Sequence, residues 1–171
     1  MQTAHDPEVA QDAKAPPRLV QTIAIPNAKG RLDHLDIDVK GQRLFVSALE
    51  NGTVEVVSLR SGKWFASIVG FRKPQGIAYV ASLNKLFVAS GDDGIVRVFR
   101  GDNFELLDSI KLELGPNRVA HDAGAEILYV GYGGEHDESR AASLISPFRI
   151  SGQRVNVIVD YVGVGVFLPA A

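Results

Sequence analysis

The chain has 171 residues, 46% of them hydrophobic and 22% charged, the balance of a globular protein with room for a sizeable core. A formal net charge of −2 gives no overall pull toward nucleic acid or anionic membrane. Cysteine is absent, which excludes a disulfide framework, a thiolate metal site and a cysteine nucleophile, and no apolar run reaches the roughly 18 residues of a membrane helix.

Residues 1–17 (MQTAHDPEVAQDAKAPP) are polar, rich in alanine and proline, and lack periodicity, so they read as a disordered leader. They have neither the basic start nor the roughly 7–15-residue apolar core of a secretory signal. Arg18 to Pro26 (RLVQTIAIP) follows. Its Gln21-Thr22-Ile23 resembles Ala66-Ser67-Ile68 and Asp108-Ser109-Ile110 later in the chain. The segment therefore reads as an orphan outer strand, of the kind that closes a ring of repeats from the N-terminal side.

From Arg31 the sequence repeats with a period of 42 residues. Leu35 falls on Ile77 and Val119, Leu44 on Leu86 and Leu128, Phe45 on Phe87 and Tyr129, and Val46 on Val88 and Val130. Within the first copy, residues 34–38 alternate apolar and polar, as a half-buried strand does. Residues 43–49 form a more continuous apolar run, 53–59 alternate again, and 63–69 make a fourth strand. Asn51-Gly52 between the second and third strands is a two-residue hairpin signal, and Asp93-Gly94 stands at the same place in the second copy. The second copy predicts strands at 76–80, 85–90, 95–100 and 105–112, and the third at 118–122 and 127–132. The pattern then fails, because residues 137–142 (DESRAA) are no strand. Ser143 to Ser146, Ser151-Gly152-Gln153 and Val155 to Val159 read as a hairpin displaced by an insertion. Residues 135–171 thus form a divergent tail, a displaced hairpin and a cap, behind repeats at 18–134.

Repeats of about 40–45 residues holding several short strands mark propeller blades. The expected fold class is all-β, a partial β-propeller of about three four-stranded blades. Its core is expected from Leu35, Ile37, Leu44, Val46, Val54 and Val56 and from their counterparts Ile77, Leu86, Val88, Val96, Val98, Ile110, Val119, Leu128 and Val130. Trp64 and Phe65 are expected to pack between blades.

Five stretches carry a resemblance to a known family: Gly30 to Asp38 (GRLDHLDID), Arg43 to Leu59 (RLFVSALENGTVEVVSL), Pro74 to Val80 (PQGIAYV), Lys85 to Phe99 (KLFVASGDDGIVRVF) and Ile127 to Gly134 (ILYVGYGG). The chain resembles the YVTN/YncE-like seven-bladed β-propeller proteins of bacteria over roughly residues 18–134. The resemblance implies export to the periplasm or cell envelope and identifies a fold better than a reaction. About three blades stand here in place of the family's usual seven. A ring needs at least about four blades, so the chain is expected to be a fragment of a longer propeller, to associate between copies through open blade flanks, or to be capped by its tail.

Propellers bind ligands at the channel mouth, on loops entering the innermost strands. Those loops hold Arg31, Asp33 and His34 in the first copy, Arg72, Lys73 and Gln75 in the second, and Asn117 and Arg118 in the third. Polar groups converging from three blades suit a small molecule, an anion or a protein partner; the plainer account is that loops are polar because they are wet. No catalytic residue, metal site or cofactor is expected. His34 and His121 are out of register, Glu135-His136-Asp137-Glu138 is a solvated charge run, and Asp36 and Asp38 share a strand face in solvated or turn-bonded roles. Gly131-Tyr132-Gly133-Gly134 opens no helix and is no dinucleotide fingerprint, and no Gly-x-Ser-x-Gly elbow exists.

The expected function is a non-enzymatic binding or scaffold module of the bacterial cell envelope. One alternative is a propeller enzyme, a metal-dependent lactonase or lyase-like protein. Another is binding of a polyanion or single-stranded nucleic acid through Arg31, Arg72, Lys73 and Arg118, for which aromatic stacking platforms would also be needed.

Overall fold

The computed structural model describes residues 19–112 and 115–132, together with the backbone of 144–149. The leader expected at 1–17, the charge run at 135–138 and the strand expected at 155–159 lie outside the described residues.

Eleven strands make up the described fold: β1 (Leu32–Asp38), β2 (Arg43–Ala48), β3 (Thr53–Ser58), β4 (Lys63–Val69), β5 (Pro74–Val80), β6 (Lys85–Ser90), β7 (Ile95–Arg100), β8 (Leu106–Lys111), β9 (Pro116–Asp122), β10 (Ile127–Tyr132) and β11 (Leu144–Arg149). They form three antiparallel sheets, β1-β2-β3-β4, β5-β6-β7-β8 and β9-β10-β11. The innermost strands β1, β5 and β9 are neighbours in space, in that order. Three such sheets set side by side through their first strands are the blades of a β-propeller. β11 begins at Leu144, where the repeat would place a strand at 137, and pairs with β10 from Ile127↔Arg149 to Tyr132↔Leu144.

The β2–β3 connection differs from the two-residue turn that Asn51-Gly52 suggests. Ala48 pairs with Thr53, so Leu49 to Gly52 form a four-residue loop, closed by the Gly52 amide donating to the Ala48 carbonyl at 3.1 Å. Only Gly52 takes a left-handed φ (68°) there. Asn51 instead holds the incoming chain: its amide donates to the Asn27 carbonyl at 2.9 Å and its Oδ1 accepts from the Lys29 amide at 2.8 Å. Residues 19–25 just before this contact join no sheet, so the orphan strand is not formed among the described residues.

Two apolar layers join the blades. Phe45, Val54, Val56 and Ile68 of the first sheet meet Ile77, Leu86, Val88 and Phe99 of the second, with Phe71 between them. Ala78, Phe87, Ala89, Val96 and Val98 on the other face of the second sheet meet Leu128 and Val130 of the third. Strand alternation forces this arrangement, since each sheet turns one set of side chains to the blade before it and the other to the blade after it.

Several core expectations need correction. Leu35 is 57% exposed, whereas its repeat counterpart Ile77 is 5% exposed. Ile37 and Phe65 are also exposed, because among the described residues no sheet lies on that flank of the first blade. Ile110 and Val119 are only partly buried, at the rim of the second layer.

Candidate functional site

The expected ligand residues lie mostly inside strands, and a recurring bulge places them there. In β1, Leu32 pairs with Ala48 and Leu35 with Val46, so Asp33 and His34 stand against Ser47 alone. In β5, Pro74 pairs with Ser90 and Ile77 with Val88, leaving Gln75 and Gly76 against Ala89. In β9, Pro116 pairs with Tyr132 and Arg118 with Gly131, leaving Asn117 unmatched. A bulge bends its strand and re-aims the side chains it carries. The same irregularity at the same point of three neighbouring inner strands brings one polar position from each blade to one end of the propeller.

Backbone contacts fix that end. The Arg31 carbonyl accepts from the Leu49 amide at 3.1 Å, and one repeat later the Lys73 carbonyl accepts from the Gly91 amide at 3.0 Å. Lys73 itself has a left-handed φ of 53°, which a lysine adopts only under constraint from its surroundings. The second and third blades approach most closely here. A β-carbon placed on Gly76 would lie 2.7 Å from the Cα of Arg118, and one on Gly115 would lie 2.5 Å from the Gly91 carbonyl oxygen.

The charges are unevenly paired. Arg31 Nη2 lies 3.2 Å from Asp33 Oδ2, and His34 Nδ1 lies 3.2 Å from Asp33 Oδ1. Lys73 Nζ lies 3.1 Å from Asp92 Oδ1. No ion pair among the described residues involves Arg72 or Arg118, and both are exposed. The end of the propeller therefore carries Arg31, Arg72, Lys73 and Arg118 against Asp33, Glu50 and Asp92, with Glu50 Oε2 accepting from the Arg31 amide at 2.5 Å. Gln75 sits over Gly91, and Asn117 beside Gly131, both as neutral hydrogen-bonding groups.

Other chemistry-bearing residues fall elsewhere. His34 lies in the β1 bulge and His121 near the far end of β9, opposite Leu128, so the structure does not bring the two histidines together. Among the described residues no group of three or more His, Cys, Asp or Glu is placed to hold a metal. Phe71 is buried against Phe99, their ring centroids 5.5 Å apart, and offers no free face for stacking a base.

Contacts of three polar groups, the buried Glu55 and Asp38 and the part-buried Arg97, escape sequence reasoning. Glu55 accepts hydrogen bonds from Thr53 Oγ1 at 2.6 Å, from the indole nitrogen of Trp64 at 2.7 Å and from Ser67 Oγ. Arg97 reaches Ser90 Oγ at 3.1 Å and Asp93 Oδ2 at 2.7 Å, with its guanidinium 5.7 Å from the centre of the Phe71 ring. Asp38 takes the turn-bonded role of the two expected for it, accepting from the Gly41 amide, but it is also buried and paired with Arg43 at the opposite end of the sheets, an arrangement not expected of it. All three lie at positions where the copies of the repeat differ: Glu55 stands where the next copy has Arg97, and Asp38 where it has Val80. That divergence is the available sequence signal.

No model of a protein family matches the chain, and no curated protein matches it. Among solved structures 316 chains match, a breadth that marks a widely used fold and not one activity. One of them is the Kuenenia stuttgartiensis hydrazine synthase, at 19% identity and a TM-score of 0.58, over 66% of this chain and 32% of that chain. This chain thus spans about a third of the length of that one, and the likeness is one of fold alone.

Proposed function

We propose that the chain is a β-propeller binding or scaffold module, related to the YVTN/YncE-like proteins of the bacterial cell envelope, that takes an anionic ligand at the bulged end of its inner strands. The observation that supports this most is the threefold bulge, which presents Asp33 and His34, Gln75, and Asn117 and Arg118 side by side, flanked by Arg72 and Lys73. Arg72 and Arg118 have no carboxylate partner among the described residues, and a guanidinium fork suits a carboxylate or phosphate ligand. Gln75 and Asn117 supply neutral donors beside them. The envelope location and the family relationship rest on the sequence motifs alone.

A metal-dependent propeller enzyme would draw on Asp33, His34, Gln75 and Asn117, but Asp33 already pairs with Arg31 and stands beside His34. A single-stranded nucleic acid would need a stacking surface, and buried Phe71 does not provide one. Amide chemical shifts measured during titration with inorganic phosphate, succinate and a neutral disaccharide test the proposal. Phosphate or succinate should shift Gln75, Asn117 and Arg118, and the response should vanish in the Arg72→Ala/Arg118→Ala double variant. A response to the neutral sugar alone, or anion shifts that survive the double variant, would overturn it.

A further inference from the structure

We propose that Asn51 is a modification site: its side chain latches residues 19–29 onto the side of the first sheet, and deamidation at the Asn51-Gly52 bond releases them for good. The latch holds whether or not the inner strands bind an anion.

Residues 19–29 cover the side of the first sheet that faces away from the second. Strand alternation turns Phe45, Val54 and Val56 to the second sheet, and Val46, Ala48, Glu55 and Val57 the other way. No described sheet lies on that other side, yet all four of these residues are buried. The segment runs along it from the β3–β4 turn, where the Gln21 side-chain amide lies against Gly62, to the β2–β3 loop, where Asn27 and Lys29 meet Asn51. Ile23 and Ile25 are partly buried on the way, while Leu19 and Val20 before them stand exposed. Among the described residues two hydrogen bonds join this segment to the rest of the fold, and Asn51 makes both. Its Nδ2 donates to the Asn27 carbonyl at 2.9 Å, and its Oδ1 accepts from the Lys29 amide at 2.8 Å.

Asn51-Gly52 is also the only Asn-Gly pair in the chain. Such pairs deamidate readily, because glycine has no side chain to hinder attack of its amide nitrogen on the asparagine Cγ. A bond forms between the Gly52 nitrogen and Asn51 Cγ, the Cγ–Nδ2 bond breaks, and Nδ2 leaves as ammonia with the proton from the Gly52 amide. Water then opens the succinimide to aspartate or isoaspartate. With the segment seated, both reacting groups are engaged: the Gly52 amide donates to the Ala48 carbonyl at 3.1 Å, and the Asn51 amide is held at both ends. The segment therefore protects the residue that holds it. Once it lifts, the Asn51 side chain is free to turn onto the Gly52 nitrogen. The product carboxylate accepts hydrogen bonds but cannot donate one, so the Asn27 carbonyl loses its partner and meets a negative charge.

The second copy shows what a carboxylate does at this place. Asp93-Gly94 stands there, and Asp93 turns into its own hairpin: Oδ1 accepts from the Ile95 amide at 3.2 Å, and Oδ2 pairs with Arg97 at 2.7 Å. The counterpart of Arg97 in the first copy is Glu55. An aspartate at 51 thus loses the latch and gains no cation in exchange.

Ageing of the full chain at mildly alkaline pH, with mass spectrometry of the peptide that holds Asn51, tests the site. Amide hydrogen exchange at Lys29 reads the seating of the segment. The emission of Trp64, the only tryptophan, reads the covered side, where its indole nitrogen donates to Glu55. Ile25→Glu, which puts a charge on a partly buried position of the segment, should speed conversion at Asn51 roughly tenfold or more, the factor that two ordinary hydrogen bonds supply. Protein converted at Asn51 and the Asn51→Asp variant should both lose protection at Lys29 and share an altered Trp64 emission, while the amides of β6 and β7 keep their protection. Ile23→Ser replaces Ile25→Glu should the latter disturb those two strands. Conversion seen in the loosened variant alone supports the latch as well. Equal rates in wild type and the loosened variant, no conversion in either, or a Lys29 amide that stays protected in Asn51→Asp would overturn the proposal.

Discussion

The guanidinium of Arg43 contacts Asp38 Oδ2 twice, from Nε at 3.0 Å and from Nη2 at 2.6 Å, while its remaining nitrogen donates across the blade junction to the Gly101 carbonyl. The pair closes the β1–β2 turn, where the Gly41 amide donates to Asp38 Oδ1 at 2.8 Å. Arg43 also lies 5.3 Å from the ring centre of Phe45 in its own sheet, and 5.7 and 5.9 Å from those of Tyr79 and Phe104 in the next. Beside it, Asp36 Oδ2 accepts a hydrogen bond from the Tyr79 amide at 2.6 Å. This is a polar staple between the first and second blades. The counterparts of Arg43 and Asp38 at the next junction, Lys85 and Val80, cannot reproduce it.

Arg43→Met should therefore destabilise the fold well beyond an ordinary surface substitution. It strands the carboxylate of Asp38, which is 3% exposed, and breaks the bond to Gly101. Removing one partner of a buried pair costs roughly 3–5 kcal/mol, most of it from the charge left behind. Arg43→Met with Asp38→Leu should recover much of that loss, because no buried charge then remains. Urea denaturation of the three proteins checks this; equal midpoints for Arg43→Met and wild type would refute it.

The same pair predicts an acid limb in stability. Burial pushes the Asp38 carboxyl up, but the Gly41 amide and the Arg43 guanidinium outweigh it, and the group is held below its ordinary value of 3.8. The unfolded chain then binds the Asp38 proton more readily than the folded one, so stability rises with pH across this range. The contribution is complete above the ordinary carboxylate range and is lost as pH falls through the lowered folded value. Thermal melts from neutral to acid pH should fall more steeply for wild type than for Asp38→Asn. Parallel curves would show that Asp38 does not set the limb.

The repeat made strands legible because alternation and turn residues are local. Lys85–Ser90, Ile95–Arg100 and Ile127–Tyr132 stand where the pattern places them. Alternation also tells which side chains share a face, but not whether a neighbour covers that face, which is why Leu35 and Ile37 read as core. The inner strands begin two residues earlier than alternation suggests, at Leu32, Pro74 and Pro116, because a bulge breaks the period of two while the ladder continues beyond it. The turn bond of Asp38 to the Gly41 amide could be read from its place before the Lys40-Gly41 turn, but not its pairing with Arg43 or its burial, because the surface that dries the pair, Tyr79, Gly101 and Phe104, comes from the next copy. The mouth residues could be chosen by equivalence between copies; their pairing, Arg31 with Asp33 and Lys73 with Asp92, depends on loop geometry that no period encodes.

Val88→Asp should cost on the order of 3 kcal/mol or more, since an unpaired charge or its neutralised acid must then sit in a dry layer. Val88 is 0% exposed and belongs to the layer between the first and second blades. The arginine nearest in pattern, Arg97, is Val88's cross-strand neighbour and is already bound to Ser90 and Asp93. A denaturant midpoint close to wild type would show that the inter-blade layer opens to water.

Gly76→Ala should destabilise the junction between the second and third blades by about 1–3 kcal/mol, the range for overpacking a close contact. The new methyl group would lie 2.7 Å from the Cα and carbonyl carbon of Arg118 and from the Val119 amide nitrogen, all backbone atoms that no rotamer change can move aside. Gly76 has no left-handed φ, so the effect is steric and not conformational. Gly91→Ala is the control, because its methyl group would meet only the Gln75 side-chain amide, at 3.3 Å, and that side chain can rotate away. Denaturation should rank wild type and Gly91→Ala well above Gly76→Ala. The amide signals of Asn117 and Arg118 should shift in Gly76→Ala even without ligand, since the methyl group pushes the bulge of β9 away from β5. If Gly76→Ala matches Gly91→Ala in stability and leaves those signals in place, the inner strands are not in the close contact that aligns the three bulges.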